Sequence, residues 1–404
     1  MGNEHLDVSE LITVRQAMGI IDAAEVRVRA ERVGLERCAG LYLAEDLTSD
    51  RDAPPFDKSL MDGYAVRAGD LEKGPRELTV VDRIAAGGSA ASPLGEGEAM
   101  AIMTGAPLPA GADAVVPIEQ TQTIEGSNRV RFMEPTELGR FVARRGSDAA
   151  AGSVALKAGT RLGAAQVAVA ASIGVVKVPV YRAPSVAVLG TGDELVSPEQ
   201  VPAANQIRSC NNPMLMTLLR RQPCRAIDLG LVRDDPAMIG ERIEVGLEQD
   251  VLLISGGMSM GERDYVPGML RRLGAEMKIT KLRIKPGKPF VFAKMPGGKF
   301  VFGLPGNPVS AFVCTIFLVS RLLEKMAGGT PRSEMHTAPL ARSLLANGNR
   351  TFFQPAIFDG RAIIPLQWKG SADVYTLGQA NALVVRPENQ AAQVAGAMVE
   401  FMEL

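Results

Sequence analysis

Apolar residues recur at helical spacing near the start of the chain, at Leu11, Val14, Met18 and Ile21, which predicts an amphipathic helix over residues 9–23 capped by Ser9. From about 50 to 145 the pattern changes to short apolar runs broken by turns, as in ELTVVDRIAAGGS, EAMAIMTGAPLPAGADAVVPIEQ and NRVRFME, and predicts a β-rich insertion. Residues 146–181 form a small mixed segment in which GAAQVAVAASIGVV predicts a buried helix. From 182 to 330 the runs alternate. SVAVLG, RAIDLGLV, DVLLISGG, FVFAK and FVFGLPG have the look of strands; NNPMLMTLLRR, PAMIGERIEVGLE, YVPGMLRRLG and NPVSAFVCTIFLVSRLLEKM have that of helices. Continuous apolar strands between helices imply a parallel, doubly wound sheet covered on both faces. Residues 331–404 return to short β runs and predict a small C-terminal β-barrel or sandwich. At roughly 150 residues per domain, 404 residues suffice for this division.

Composition narrows the chemistry. Lys plus Arg number 44 and Asp plus Glu 45, a net charge of −1, which argues against a protein-wide basic field for nucleic acid or a membrane. The two histidines, His5 and His336, lie far from every motif below, and the four cysteines show no CxxC pair. A Ser-His-Asp triad, a zinc ribbon and a disulfide scaffold are therefore all disfavoured. The N-terminal stretch MGNEHLDVSE has no apolar leader, and the run Val309 to Val319 is shorter than the roughly 18 residues of a membrane span, so a cytoplasmic protein is expected. Carboxylates, lysines, backbone amides or a bound metal must carry the function.

Glycine-rich turns concentrate that chemistry. In VLLISGGMSMGERDYV a buried strand runs into Ser255, Gly256, Gly257 and Ser259 before a helix near Asp264, the kind of turn whose amides face an anion. Strand SVAVLG ends in TGDEL with Glu194, and RAIDLGLV ends in RDDP, where Asp234 or Asp235 caps a helix or joins a site. Carboxylates beside a phosphate-type cradle suit magnesium. Lys281, Lys285 and Lys288 flank a Pro-Gly turn and are expected to converge on a polyanion. In GLPGNPVSAF, capping suffices for Asn307 and Pro308, but not for the second rigid turn at Pro305-Gly306. Within the insertion, Ser59 and Asp62 have capping-box spacing, Thr104 sits in a Pro-rich turn, and RRGSD supplies Arg144, Arg145 and Asp148.

Together PPFDKSLMDGYAV, IMTGAPLPAGADAVV, RRGSD, GTGDEL, RDDP, SGGMSMGERDYV, KLRIKPGKPFVFAK, GLPGNPVSAF and KGSADVYTLGQANALVV resemble the MoeA family of molybdopterin molybdenumtransferases, whose eukaryotic relative is the gephyrin E domain. The strings fall in the family's order across residues 50 to 390. The resemblance implies a MogA-like α/β domain with a β-rich insertion, an elongated mixed linking domain made of residues 7–49 and 146–181, and a C-terminal barrel. It implies insertion of molybdate into adenylylated molybdopterin with release of AMP, dependence on magnesium, a homodimer, and transient contact with the adenylyltransferase. Carried over by position, Asp62, Thr104 and Asp148 come from the insertion. Glu194, Asp234, Asp264, Lys281 and Lys285 come from the α/β domain, with Pro305 and Pro308 shaping the pocket and Ser371 contributed from the C-terminal string. Glu194, Asp234 and Asp264 are the expected magnesium ligands; with Asp62 they bind the metal or relay protons, while Ser255, Gly256, Gly257 and Ser259 bind oxyanions. Two departures stand out. Phe141-Val142-Ala143 replaces the family's Asn-Val-Arg, leaving Arg144 as the substitute anion contact, and Arg208-Ser209-Cys210-Asn211 lacks a carboxylate. The competing readings are a molybdopterin adenylyltransferase, which needs neither the insertion nor the barrel, and a non-catalytic gephyrin-like scaffold.

Overall fold

The computed structural model describes residues 11–258, 265–331 and 334–404. Helix α1 (Val14–Ala23) starts later than its apolar spacing predicts, because Thr13 supplies the cap. The Thr13 hydroxyl accepts the Gln16 N–H at 3.1 Å, and Gln16 Oε1 accepts the Thr13 N–H at 2.9 Å. Ser9, the expected cap, lies outside the described residues. The chain divides into two compact units, one of residues 34–36 and 45–178 and the other of the remainder.

The first unit is built on a six-stranded sheet, as the broken β pattern predicts. Its strands are β1 (Gly63–Val66), β2 (Arg76–Ile84), β3 (Glu98–Ile102), β4 (Ala114–Pro117), β5 (Thr121–Thr123) and β6 (Arg129–Phe132). They lie in the order β4-β1-β3-β2-β6-β5, with only β2 and β3 parallel. Alternate residues point to opposite faces, so Ala65 and Val115 join one core while Val66 and Val116 join another. Helix α2 (Ala164–Ser172) corrects an expectation. It is apolar by composition, yet only Ala170 is buried, because small alanines and scattered valines give no broad face to pack.

In the second unit the α/β pattern holds with one change. The strands are β7 (Ser185–Thr191), β8 (Arg225–Val232), β9 (Val251–Ser255), β10 (Glu276–Ile279), β12 (Val291–Lys294) and β13 (Phe300–Leu304); a two-residue strand, β11 (Ile284–Lys285), intervenes in the chain but not in this sheet. The order is β8-β7-β9-β13-β12-β10. The first four are parallel, whereas β12 runs antiparallel to both of its neighbours, β13 and β10, so the sheet is mixed and not wholly parallel as expected. The turn between β12 and β13 is too short for a crossover helix, which forces the hairpin. Val186, Val188, Val251 and Leu253 pack one face against α1, α3 (Asn211–Leu219) and the long helical stretch α6 (Pro308–Cys314) to α7 (Ser320–Met326). Ala187, Leu189, Leu252 and Ile254 pack the other against α4 (Pro236–Gly246) and α5 (Tyr265–Arg272).

The last segment forms a second sheet from β14 (His336–Pro339), β15 (Thr351–Phe358), β16 (Ile363–Pro365), β17 (Ala382–Arg386) and β18 (Met398–Glu403). Its order is β11-β15-β17-β18-β14, with β16 on β15. A bridge between Leu340 and Ile363 joins the end of β14 to β16, so the sheet curls into a half-barrel where a barrel was expected. Strand β11 pairs with β15, so a piece of the α/β segment is stitched into it.

Candidate active site

All four parallel strands end at one cleft of about 930 Å³. Ligands of open α/β sheets sit beyond these carboxyl ends. Strand β7 delivers Gly192 and Glu194, β8 delivers Asp234, β9 delivers Ser255, Gly256 and Gly257, and β13 delivers Pro305, with Pro308 following. Lys285, Lys288 and Ser371 line the same cleft. Lys281 does not. It lies half-buried on the loop between β10 and β11, so two of the three expected lysines reach the cleft, Lys285 from the paired strand β11 and Lys288 from the turn after it. Ser259 and Asp264 lie outside the described residues.

The glycines are dictated by packing as well as by amide exposure. A Cβ on Gly256, at φ 101°, would stand 2.3 Å from the Thr191 carbonyl oxygen, and one on Gly257 would stand 3.1 Å from Thr191 Oγ1. Asn211 holds these loops together. This buried residue at the start of α3 donates from Nδ2 to Ser255 Oγ at 2.7 Å and to the Gly306 carbonyl at 2.7 Å. It was missed in the sequence, where the asparagine pair before Pro213 signals only a helix start.

Three capping expectations resolve differently. Asp235 caps α4 by accepting from the Met238 N–H at 2.9 Å, which leaves Asp234 for the cleft. Asn307 occupies the cap of α6 but makes no capping bond; its amide donates to Ser371 Oγ at 2.8 Å and ties the 369–373 loop to the cleft. Ser59 and Asp62 do not form a capping box, since no helix follows. Ser59 lies in a short strand, and Asp62 Oδ1 accepts the Thr104 N–H at 2.7 Å and hydroxyl at 2.9 Å.

That grip holds the Asp62 carboxyl below the usual carboxylate range, the Thr104 backbone amide contributing most and its hydroxyl next. Asp62 is thus held as an ionised hydrogen-bond acceptor. Nearby in sequence, Arg144 donates to Asp57 at 2.6 Å, and Asp57 is held low chiefly by the Arg145 amide and then by Arg144. Asp148 is exposed and accepts from Ser147 Oγ at 3.2 Å.

In the cleft the cationic side is stronger than the lysines alone indicated, because Arg350 lines it too. Burial, then the charges of Arg350 and Arg386, push the Lys285 ammonium below the ordinary lysine value. Arg350 escaped notice because it stands in a loop, ANGNR, with no motif around it. On the acidic side, Glu194 and Asp234 share the cleft on adjoining loops, and an oxygen-only pair of this kind suits magnesium completed by substrate phosphates. Among the described residues no cluster of three His, Cys, Asp or Glu side chains could hold a metal by itself.

Comparison with known proteins covers nearly the whole chain. Family models match in order: the MoeA N-terminal region (domain I and II) over residues 12–174, a probable molybdopterin binding domain over 187–325, and the MoeA C-terminal region (domain IV) over 337–404. A molybdopterin molybdenumtransferase from Haemophilus influenzae is 36% identical over 320 residues, 79% of this chain and 78% of its own. One from Bacillus subtilis is 31% identical over 403 residues, 97% and 94% of the two chains. The crystal structure of the molybdopterin biosynthesis MoeA protein from Pyrococcus horikoshii superimposes with a TM-score of 0.83 at 29% identity, covering 98% of this chain and all of that one. The chain belongs to the MoeA family of molybdopterin molybdenumtransferases.

Proposed function

We propose that this chain is a transferase of molybdenum cofactor biosynthesis that inserts molybdate into adenylylated molybdopterin and releases AMP. One observation carries the reading beyond family membership. A single cleft joins Lys285, Lys288 and Arg350 to the Gly256-Gly257 turn on one side and to Glu194 and Asp234 on the other. Molybdate is a dianion and the adenylylated pterin carries a pyrophosphate, so both need cations and amides, and the phosphates need a counter-ion that carboxylates can hold. As two thiols of the pterin bond to molybdenum, one oxide leaves as water carrying the two thiol protons. In this reading Lys285 and Arg350 hold the remaining oxygens, and Ser371, fixed by Asn307, orients one of them. Glu194 and Asp234 would hold magnesium, which when bound would neutralise phosphate charge while one water adds across the phosphoanhydride to give AMP and the pterin monophosphate. Asp62 orients its Thr104 loop and stays ionised. The same reading includes a homodimer, a cytoplasmic location and transient contact with the adenylyltransferase that supplies the substrate; no described helix is long and apolar enough to cross a membrane.

Supplying the purified protein with adenylylated molybdopterin in one reaction, and with free molybdopterin plus ATP in another, tests the assignment. AMP formation in the first reaction alone is expected. Adenylylation of free molybdopterin from ATP would assign the chain to the preceding step instead.

A further inference from the structure

Lys285 meets no carboxylate among the described residues; its ammonium lies over two aromatic rings. Nζ is 4.5 Å from the centroid of Phe352 and 5.6 Å from that of Trp368, and the two rings are 5.2 Å apart at 39°. Strand register builds this seat: Lys285 is paired with Phe352 across β11 and β15, and Phe352 with Arg386 across β15 and β17. Arg386 lies 5.6 Å from the Phe352 centroid and is itself tethered, donating to Gln354 Oε1 at 3.0 Å and to the Leu345 carbonyl. The Trp368 indole N–H is buried without a partner, so ring contacts and not a hydrogen bond hold Trp368 in place. Trp368 also lines the cleft beside Lys285, and it is the sole tryptophan of the chain.

We infer that Trp368, with Phe352, is a positioning residue that seats the Lys285 ammonium for oxyanion capture without neutralising it. The inference rests on the reading in which Lys285 binds the oxyanion. A carboxylate would orient a lysine equally well but cancel its charge where the anion arrives. A ring face attracts the ammonium through its quadrupole and carries no net charge, so the full charge remains for the substrate. The direction of the Lys285 shift agrees with this. An ammonium short of counter-charge, beside two guanidinium groups, gains most when a dianion enters. The barrel thereby acquires a catalytic purpose: it supplies the rings that aim a lysine stitched into it by β11.

Calorimetric titration with molybdate tests the inference in five proteins: the wild type, Trp368→Leu, Trp368→Phe, Lys285→Met and the double variant of Trp368→Leu with Lys285→Met. Trp368→Leu is expected to weaken molybdate binding about tenfold, as loss of a partly desolvated cation–π contact implies, with Trp368→Phe within roughly threefold of wild type. In the Lys285→Met background the leucine substitution is expected to cost nothing further, since the two side chains act as one. Equal affinity of Trp368→Leu and wild type, or an undiminished loss in the Lys285→Met background, would overturn the seat while leaving the cleft intact as the anion site. Wild-type affinity in Lys285→Met would instead overturn the reading beneath it. The unaltered protein gives a check that needs no folded leucine variant: emission of the lone tryptophan must change at saturating molybdate, and an unchanged spectrum would contradict the inference.

Discussion

The β-rich unit and the α/β unit both present charged loops, but they treat those charges in opposite ways. In the β-rich unit the acids are already held. Asp62 is bound by Thr104, Asp57 by Arg144 and the Arg145 amide, and Asp52 by the Ala151 amide and Arg145, and all three carboxyls are pulled below their ordinary values. In the α/β cleft, Lys285 rests on rings, Arg350 adds like charge, and Ser371 is tethered by an amide. Charges paired internally shape loops. Charges left without a counter-ion raise the local potential and favour an incoming anion. The Asp62 and Asp57 loops are thus held by their own internal contacts, whereas Lys285 meets no carboxylate among the described residues.

Several substitutions would break or sharpen this contrast. The largest effect is expected from Glu194→Gln, which removes a cleft carboxylate: AMP release and cofactor formation should fall about a hundredfold or more while thermal unfolding stays put. Wild-type rates would remove Glu194 from the chemistry. Gly256→Ala is expected to destabilise the protein by roughly 2–4 kcal/mol in urea unfolding, since its Cβ meets the Thr191 carbonyl and its φ is positive. An unchanged midpoint would show that the turn is open enough to relax. In the β-rich unit, Thr104→Val keeps the amide bond to Asp62 but deletes the hydroxyl, so the Asp62 carboxyl should titrate closer to about 3.9 by NMR. The sign follows from linkage. A depressed carboxyl adds stability above the unfolded value, and that increment disappears as pH falls through the folded one; the variant should lose less on acidification. The smallest effect belongs to Arg144→Gln. Its pair with Asp57 is solvent-exposed, so stability should change by less than about 1 kcal/mol. A larger loss would mean that the loop, and not only the surface, depends on the pair.

Much of this was legible in the sequence because strand ends and glycine turns carry their own signals. TGDEL, RDDP, SGG and LPG each follow an apolar strand, and the fold brings all four to one edge. What escaped notice depends on distance in the chain. Asn211 clamps Ser255 and Gly306 from 44 and 95 residues away, and no local pattern announces such a bond. Arg350 and Trp368 line the cleft from the C-terminal segment, which pairs with β11 through two residues of strand. Conversely, the spacing of Ser59 and Asp62 fits a capping box, but the chain there turns into a strand, and capping chemistry has meaning only where a helix follows. The antiparallel ending of the sheet was hidden for a similar reason. FVFAK and FVFGL read as buried strands in either direction, and only the length of the turn between them decides.

The most direct measurement combines both products in one reaction. The protein is incubated with adenylylated molybdopterin, magnesium and molybdate, and AMP is followed together with active molybdenum cofactor. Stoichiometric appearance of the two, lost together in Lys285→Met, is predicted. Absence of AMP release under these conditions, or its full persistence in Lys285→Met, would contradict the account.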